Sequence, residues 1–64
     1  MENNELERNT HQEHYESIKV LVETIEKDML KSEKGNKSAG IRLRKSLRLL
    51  KKYSQDFVKF SLDS

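Results

Sequence analysis

The sequence predicts an all-α protein, an antiparallel two-helix hairpin that dimerises into a four-helix bundle or coiled-coil-like assembly. Three observations carry that expectation. Apolar residues recur at three- and four-residue steps in two separate stretches, the period of a helix with one buried face. Between the stretches lies the polar run Glu33-Lys34-Gly35-Asn36-Lys37-Ser38, which holds the clearest turn signal in the chain. There is no proline and there are only two glycines, so little interrupts either helix.

Residues 1–9 are acidic and polar, and Leu6 has no apolar partner at helical spacing. They are expected to form a flexible N-terminal segment, and they do not resemble a secretory signal. Thr10-His11-Gln12-Glu13 has the form of a capping box. Thr10 would accept from the Glu13 N–H while Glu13 reaches back to the Thr10 N–H. The first helix is accordingly expected over about residues 10–33. Tyr15, Ile18, Val22, Ile25 and Met29, separated by 3, 4, 3 and 4 residues, form its apolar stripe, with Leu21 on the flank. Val20 and Leu30 lie outside it, as scattered surface residues or as contacts to a second chain.

The turn is expected at residues 34–37. Gly35 suits the left-handed position that ends a helix, and Asn36 or Ser38 supplies the side-chain oxygen that caps the next. The second helix follows over about residues 37–61, completing a hairpin domain over 10–64. Ala39, Leu43, Ser46, Leu50, Tyr53, Phe57 and Phe60 form its stripe, and Leu47, Ser54 and Val58 widen it. A face this broad can bury against more than one neighbour, whereas one hairpin offers only one. Sixty-four residues, a third of them apolar and none of them cysteine, also leave little other support, because chains below roughly 70–80 residues seldom build a sufficient core alone. A homodimer is therefore expected.

Charge divides the chain at the turn. Residues 1–33 carry nine acidic and four basic side chains; residues 34–64 carry two acidic and nine basic. Such asymmetry suggests a nucleic-acid or membrane partner for the basic half, or simple attraction between the two helices. On a helical wheel Lys37, Arg44, Lys45, Arg48, Lys51, Lys52 and Lys59 fall within roughly 120° opposite the apolar stripe. Lys34 lies in the turn beside them, Arg42 on a flank, and Asp56 is the one acid nearby. A row of this kind suits a phosphate backbone, with binding that weakens steeply as salt rises. It lacks a base-reading set of Asn or Gln, so DNA binding would be largely independent of sequence. The start of the second helix adds a possible anion site beside Lys34 and Lys37. The same row also suits a solvated face, an acidic protein or a membrane surface. The membrane is disfavoured because the apolar side of the helix is committed to a core.

Other chemistry is weak. His11 and His14 flank Glu13 but lack a third metal ligand, and read most simply as two exposed histidines near a helix start. Glu23, Glu26 and Glu33 read as solvated or lysine-paired, and Ser46 and Ser54 as small residues that let helices approach. No nucleophile with a base and no phosphate loop is evident, so no enzyme, cofactor, metal or small-molecule substrate is expected. No apolar run nears the roughly 18 residues that span a bilayer, and the expected location is the cytoplasm.

Residues 25–39, followed by Arg42-Leu43-Arg44 and a Leu/Lys-rich helix, resemble the chlamydial and Bacteroidetes linker-histone-like family. Its hallmark joins an acidic to a basic segment at a Glu-Lys-Gly-Asn-Lys-Ala-Ala-like turn, followed by an Arg-x-Arg pair. Glu33, Lys34, Gly35, Asn36, Lys37, Ala39, Arg42 and Arg44 match that pattern, while Ser38 replaces an alanine and Gly40 follows Ala39. The resemblance covers about residues 18–60. It implies a histone-like protein that binds DNA without sequence preference, compacts the nucleoid, and coats or bridges duplexes. The candidate phosphate contacts are Lys34, Lys37, Arg42, Arg44, Lys45, Arg48, Lys51 and Lys52. Chlamydial members add a Lys/Ala-rich C-terminal tail. Ser61-Leu62-Asp63-Ser64 is not basic, so the chain is expected to correspond to the helical part alone, as in short members. The alternative is a helical adaptor whose basic face meets an acidic protein.

Overall fold

The structure, a computed structural model, describes residues 9–63. The flexible segment expected over residues 1–9 falls, apart from Asn9, outside the described residues. Two helices, α1 (His11–Glu33) and α2 (Lys37–Asp63), pack against each other as a hairpin. The Cα extents are 43 × 26 × 14 Å, so the hairpin is one helical layer thick.

Each junction has a local cause. Thr10, with extended backbone, accepts from the Glu13 N–H at 3.1 Å. The reciprocal arm of the capping box differs from expectation. The Glu13 carboxylate accepts from the Asn9 N–H at 2.7 Å rather than from that of Thr10, reaching one residue further back and tying the incoming chain to the helix. At the other end the Asn36 N–H donates to the Lys31 carbonyl and the Gly35 N–H to that of Ser32. This pair of bonds requires a left-handed residue after the last helical turn, and Gly35 supplies it with φ 94°. Asn36 then caps α2, its Oδ1 accepting from the Ala39 N–H at 3.0 Å. One residue thus closes α1 and opens α2. Ser38, the other capping candidate, lies exposed within the first turn of α2.

Close to the turn the helices meet through small residues. Ala39 and Gly40 are buried, and a Cβ on Gly40 would lie 3.3 Å from Ser32 Oγ. Ser46 is buried further along. The apolar core is small. Leu21 and Ala39 are its buried members, with Ile18, Ile25, Leu43, Leu50 and Phe57 half-buried around them.

The buried side of α1 differs from the stripe read in the sequence. His14, Leu21 and Asp28 are the buried residues of α1, so Leu21 sits on the centre line rather than the flank. Tyr15, Val22 and Met29 are exposed. The displacement arises because two of the inward positions are polar and find partners on α2. Asp28 accepts from Arg42 Nε at 3.2 Å. His14, 6% exposed, stacks on Phe57 at 5.1 Å with planes 9° apart and lies 4.6 Å from Phe60. His11 meets both phenylalanines edge-on, at 6.0 and 5.1 Å. The histidines therefore form an aromatic clasp between the start of α1 and the end of α2; His11 is exposed as expected, whereas His14 is buried. Among the described residues no three His, Asp or Glu side chains are grouped to hold a metal.

Candidate nucleic-acid interface

The cations of α2 occupy the side that the packing leaves free. Because Ala39, Ser46, Leu50 and Phe57 turn toward α1, residues half a turn away face solvent. Lys37, Arg44, Lys45, Arg48, Lys51, Lys52 and Lys59 are all exposed. Lys37, Arg44 and Lys51 recur every seven residues, as do Lys45, Lys52 and Lys59. Seven residues rise about 10.5 Å along a helix, roughly three 3.4 Å steps of one DNA strand. The result is two near-parallel files of ammonium and guanidinium groups with Arg48 between them.

The row is held lightly. Arg48 Nη1 donates to the Arg44 carbonyl at 3.4 Å, which lays the guanidinium back along the helix. Lys52 Nζ stands 3.9 Å from Asp56 Oδ2 on the next turn, both groups well exposed. Such a pair contributes only a few tenths of a kcal/mol and yields readily to a phosphate. Lys34 ends α1 and is exposed in the turn. The first turn of α2 holds no acidic side chain, so the positive end of the helix dipole adds to Lys34 and Lys37. The N–H of Ala39 is already taken by Asn36, which leaves that end less open to an anion than its sequence suggests.

Arg42 stands apart from the other candidates. Its Nε donates to the buried Asp28 carboxylate, although half of its side chain remains exposed. The sequence placed it on the flank of the row but gave no sign of its partner. Asp28 lies outside the apolar stripe, and nothing in its spacing marks it as buried. The outward row, by contrast, follows from helical periodicity once the apolar side is known.

The family model for the histone H1-like protein Hc1 matches residues 12–64. The chain belongs to the Hc1 family of histone H1-like proteins. The match takes in the turn, α2 and all of α1 but His11, so the whole basic row of this Hc1-family chain lies inside it. The family is one of histone-like, DNA-binding proteins rather than of enzymes. No curated protein and no solved structure matches the chain. Among the described residues no helix is long and apolar enough to cross a membrane.

Proposed function

We propose that this Hc1-family chain binds DNA in the nucleoid without sequence preference, and that as a homodimer it coats or bridges duplexes. The observation that carries the reading is the exposed double file of cations on the outer side of α2, in a chain of a histone H1-like family. Lys34, Lys37, Arg44, Lys45, Arg48, Lys51 and Lys52 contact phosphates. Arg42 adds charge at the edge while holding Asp28. Specificity is low because the row offers point charges and guanidinium groups to the backbone and no element shaped to enter a groove with amide side chains. The small core supports the dimer, since Leu21 and Ala39 are its buried apolar members and a domain needs a second layer to cover its apolar faces.

The test is a salt titration of binding to two unrelated duplexes, followed by fluorescence anisotropy. Each phosphate neutralised contributes about −0.9 to the slope of log affinity against log salt. The expected result is a slope of about −4 or steeper, equal for both duplexes. No binding at low salt would overturn the reading and favour an acidic protein as the partner of the row. Unequal affinities would remove the claim of sequence independence.

A further inference from the structure

We infer that one face of the hairpin is the seam for a second copy of this chain, joined about a two-fold axis parallel to the helices. Each acidic α1 then lies along the basic α2 of the other copy. The inference rests on the dimer in the proposed function and specifies its face and symmetry.

The choice of face comes from which residues share a side. His11 and Ile18 of α1 line one shallow groove with Ser54, Phe57, Val58 and Ser61 of α2. Tyr15 and Val22 are helical neighbours of Ile18, and Met29 follows Val22 by seven residues. Leu47 precedes Ser54 by seven. That side therefore collects Tyr15, Val22, Met29, Leu47 and Val58, which are 54, 46, 37, 47 and 59% exposed. The reverse side joins the helices through Glu16, Ser17, Val20, Leu21, Thr24 and Tyr53, and is far more polar. A face with Cα extents of 43 by 26 Å has room for the ~800 Å² per partner that a stable dimer buries.

Charge selects the symmetry. At the α1 margin of the seam, Glu26 follows Val22 by four residues and Glu33 follows Met29 by four. At the α2 margin stand Lys37, Arg44 and Lys51, seven residues apart. Contacts within the hairpin, His11 with Phe60, His14 with Phe57 and Asp28 with Arg42, fix which residues share a level. A two-fold axis along the helices keeps those levels across the seam. Glu26 then meets the partner's Arg44, and Glu33 meets the partner's Lys37. Lys19 opposite the partner's Lys51 is the one unfavourable pair. An axis across the helices would instead lay α2 on α2 and bring the Lys37, Arg44 and Lys51 file of each copy against that of the other. Margin charges set orientation in this way in paired helices. The chosen symmetry puts Lys45, Arg48, Lys52 and Lys59 of the two copies on diagonally opposite corners of a four-helix bundle, facing away from each other, where each set can hold its own duplex, while Lys37, Arg44 and Lys51 lie on the edge between seam and duplex.

The chain has no cysteine, so single cysteines report the seam directly. Glu26→Cys and Arg44→Cys proteins are mixed, equilibrated and treated with a short bis-maleimide, with Val20→Cys on the reverse side as control. The expected product is the mixed Glu26→Cys/Arg44→Cys adduct, in excess over either symmetric adduct and with little from Val20→Cys. Predominant Arg44→Cys homo-adducts would overturn the symmetry, and predominant Val20→Cys adducts the face. Sedimentation supplies a second reading. Val22→Glu/Leu47→Glu alters only side chains exposed in the single hairpin, and should raise the dimer dissociation constant at least ten-fold. An unchanged dimer would overturn the seam. A parent chain that is monomeric yet binds DNA with a steep salt slope would sink the seam alone. A dimer cross-linked as expected that binds no DNA would sink the proposed function alone.

Discussion

Single residues decide whether the hairpin closes. Gly35 holds φ at 94°, a conformation that costs a residue with a Cβ about 1 kcal/mol or more. Gly35→Ala should therefore lower the melting temperature by about 4–8 °C, the shift for 1 kcal/mol in a chain of this size, as read by circular dichroism. Space is not the cause, since nothing lies within 4 Å of the added Cβ. Gly35→Asn, better tolerated in the left-handed region, should lose less. His14 poses the opposite case. Its Nε2 is buried and has no hydrogen-bond partner among the described residues, so its value lies in ring contact with Phe57 and Phe60. His14→Leu keeps apolar volume and removes the orphaned atom. It should leave the melting temperature unchanged or raised, whereas His14→Ala should lower it by opening a cavity. A large loss in His14→Leu would show that the imidazole nitrogen matters to the clasp.

Between the helices, Asp28 and Arg42 form an ion pair that joins α1 to α2. Arg42→Ala strands a buried carboxylate and should cost about 1–2 kcal/mol, the full penalty for a buried pair being discounted because Arg42 is half exposed. Asp28→Ala/Arg42→Ala should recover part of that loss, measured by urea denaturation. Equal losses in the single and double variants would mean that the charge on Asp28 is not what Arg42 serves. This pair also shows what could be read from the sequence. The hairpin was legible because Gly35 and Asn36 punctuate two runs of helical period, and the basic row because periodicity places Arg44, Arg48 and Lys51 opposite Leu43, Leu50 and Phe57. The rotation of α1 was not legible. Hydropathy puts Tyr15, Val22 and Met29 inward, whereas His14 and Asp28 take the inward positions through partners 43 and 14 residues away. The apolar stripe of α1 and its packed side therefore overlap at Ile18 and Ile25, which are half-buried, without coinciding: Tyr15, Val22 and Met29 are left exposed.

For the hairpin taken as one unit, DNA responds either to the row or merely to net charge, which is +2. Electrostatic association has both components, a summed field that steers and local contacts that hold. They separate when charge is moved without being changed in total. Arg48→Glu/Lys52→Glu reverses two cations at the middle of the row and away from the Leu47 side. It should weaken binding at least ten-fold near 0.1 M salt and reduce the magnitude of the salt slope by about 2. Adding Glu16→Lys and Glu23→Lys, both on exposed positions of α1, returns the net charge to its original value. If contact with the double file on α2 holds the duplex, this four-fold variant should regain little affinity and its slope should stay shallow. Full recovery would mean that the chain binds through overall charge, with no role for the geometry of α2. Anisotropy titrations of the three proteins on one duplex distinguish the outcomes. Circular dichroism checks that each remains helical, since Lys52→Glu also places a second acid beside Asp56.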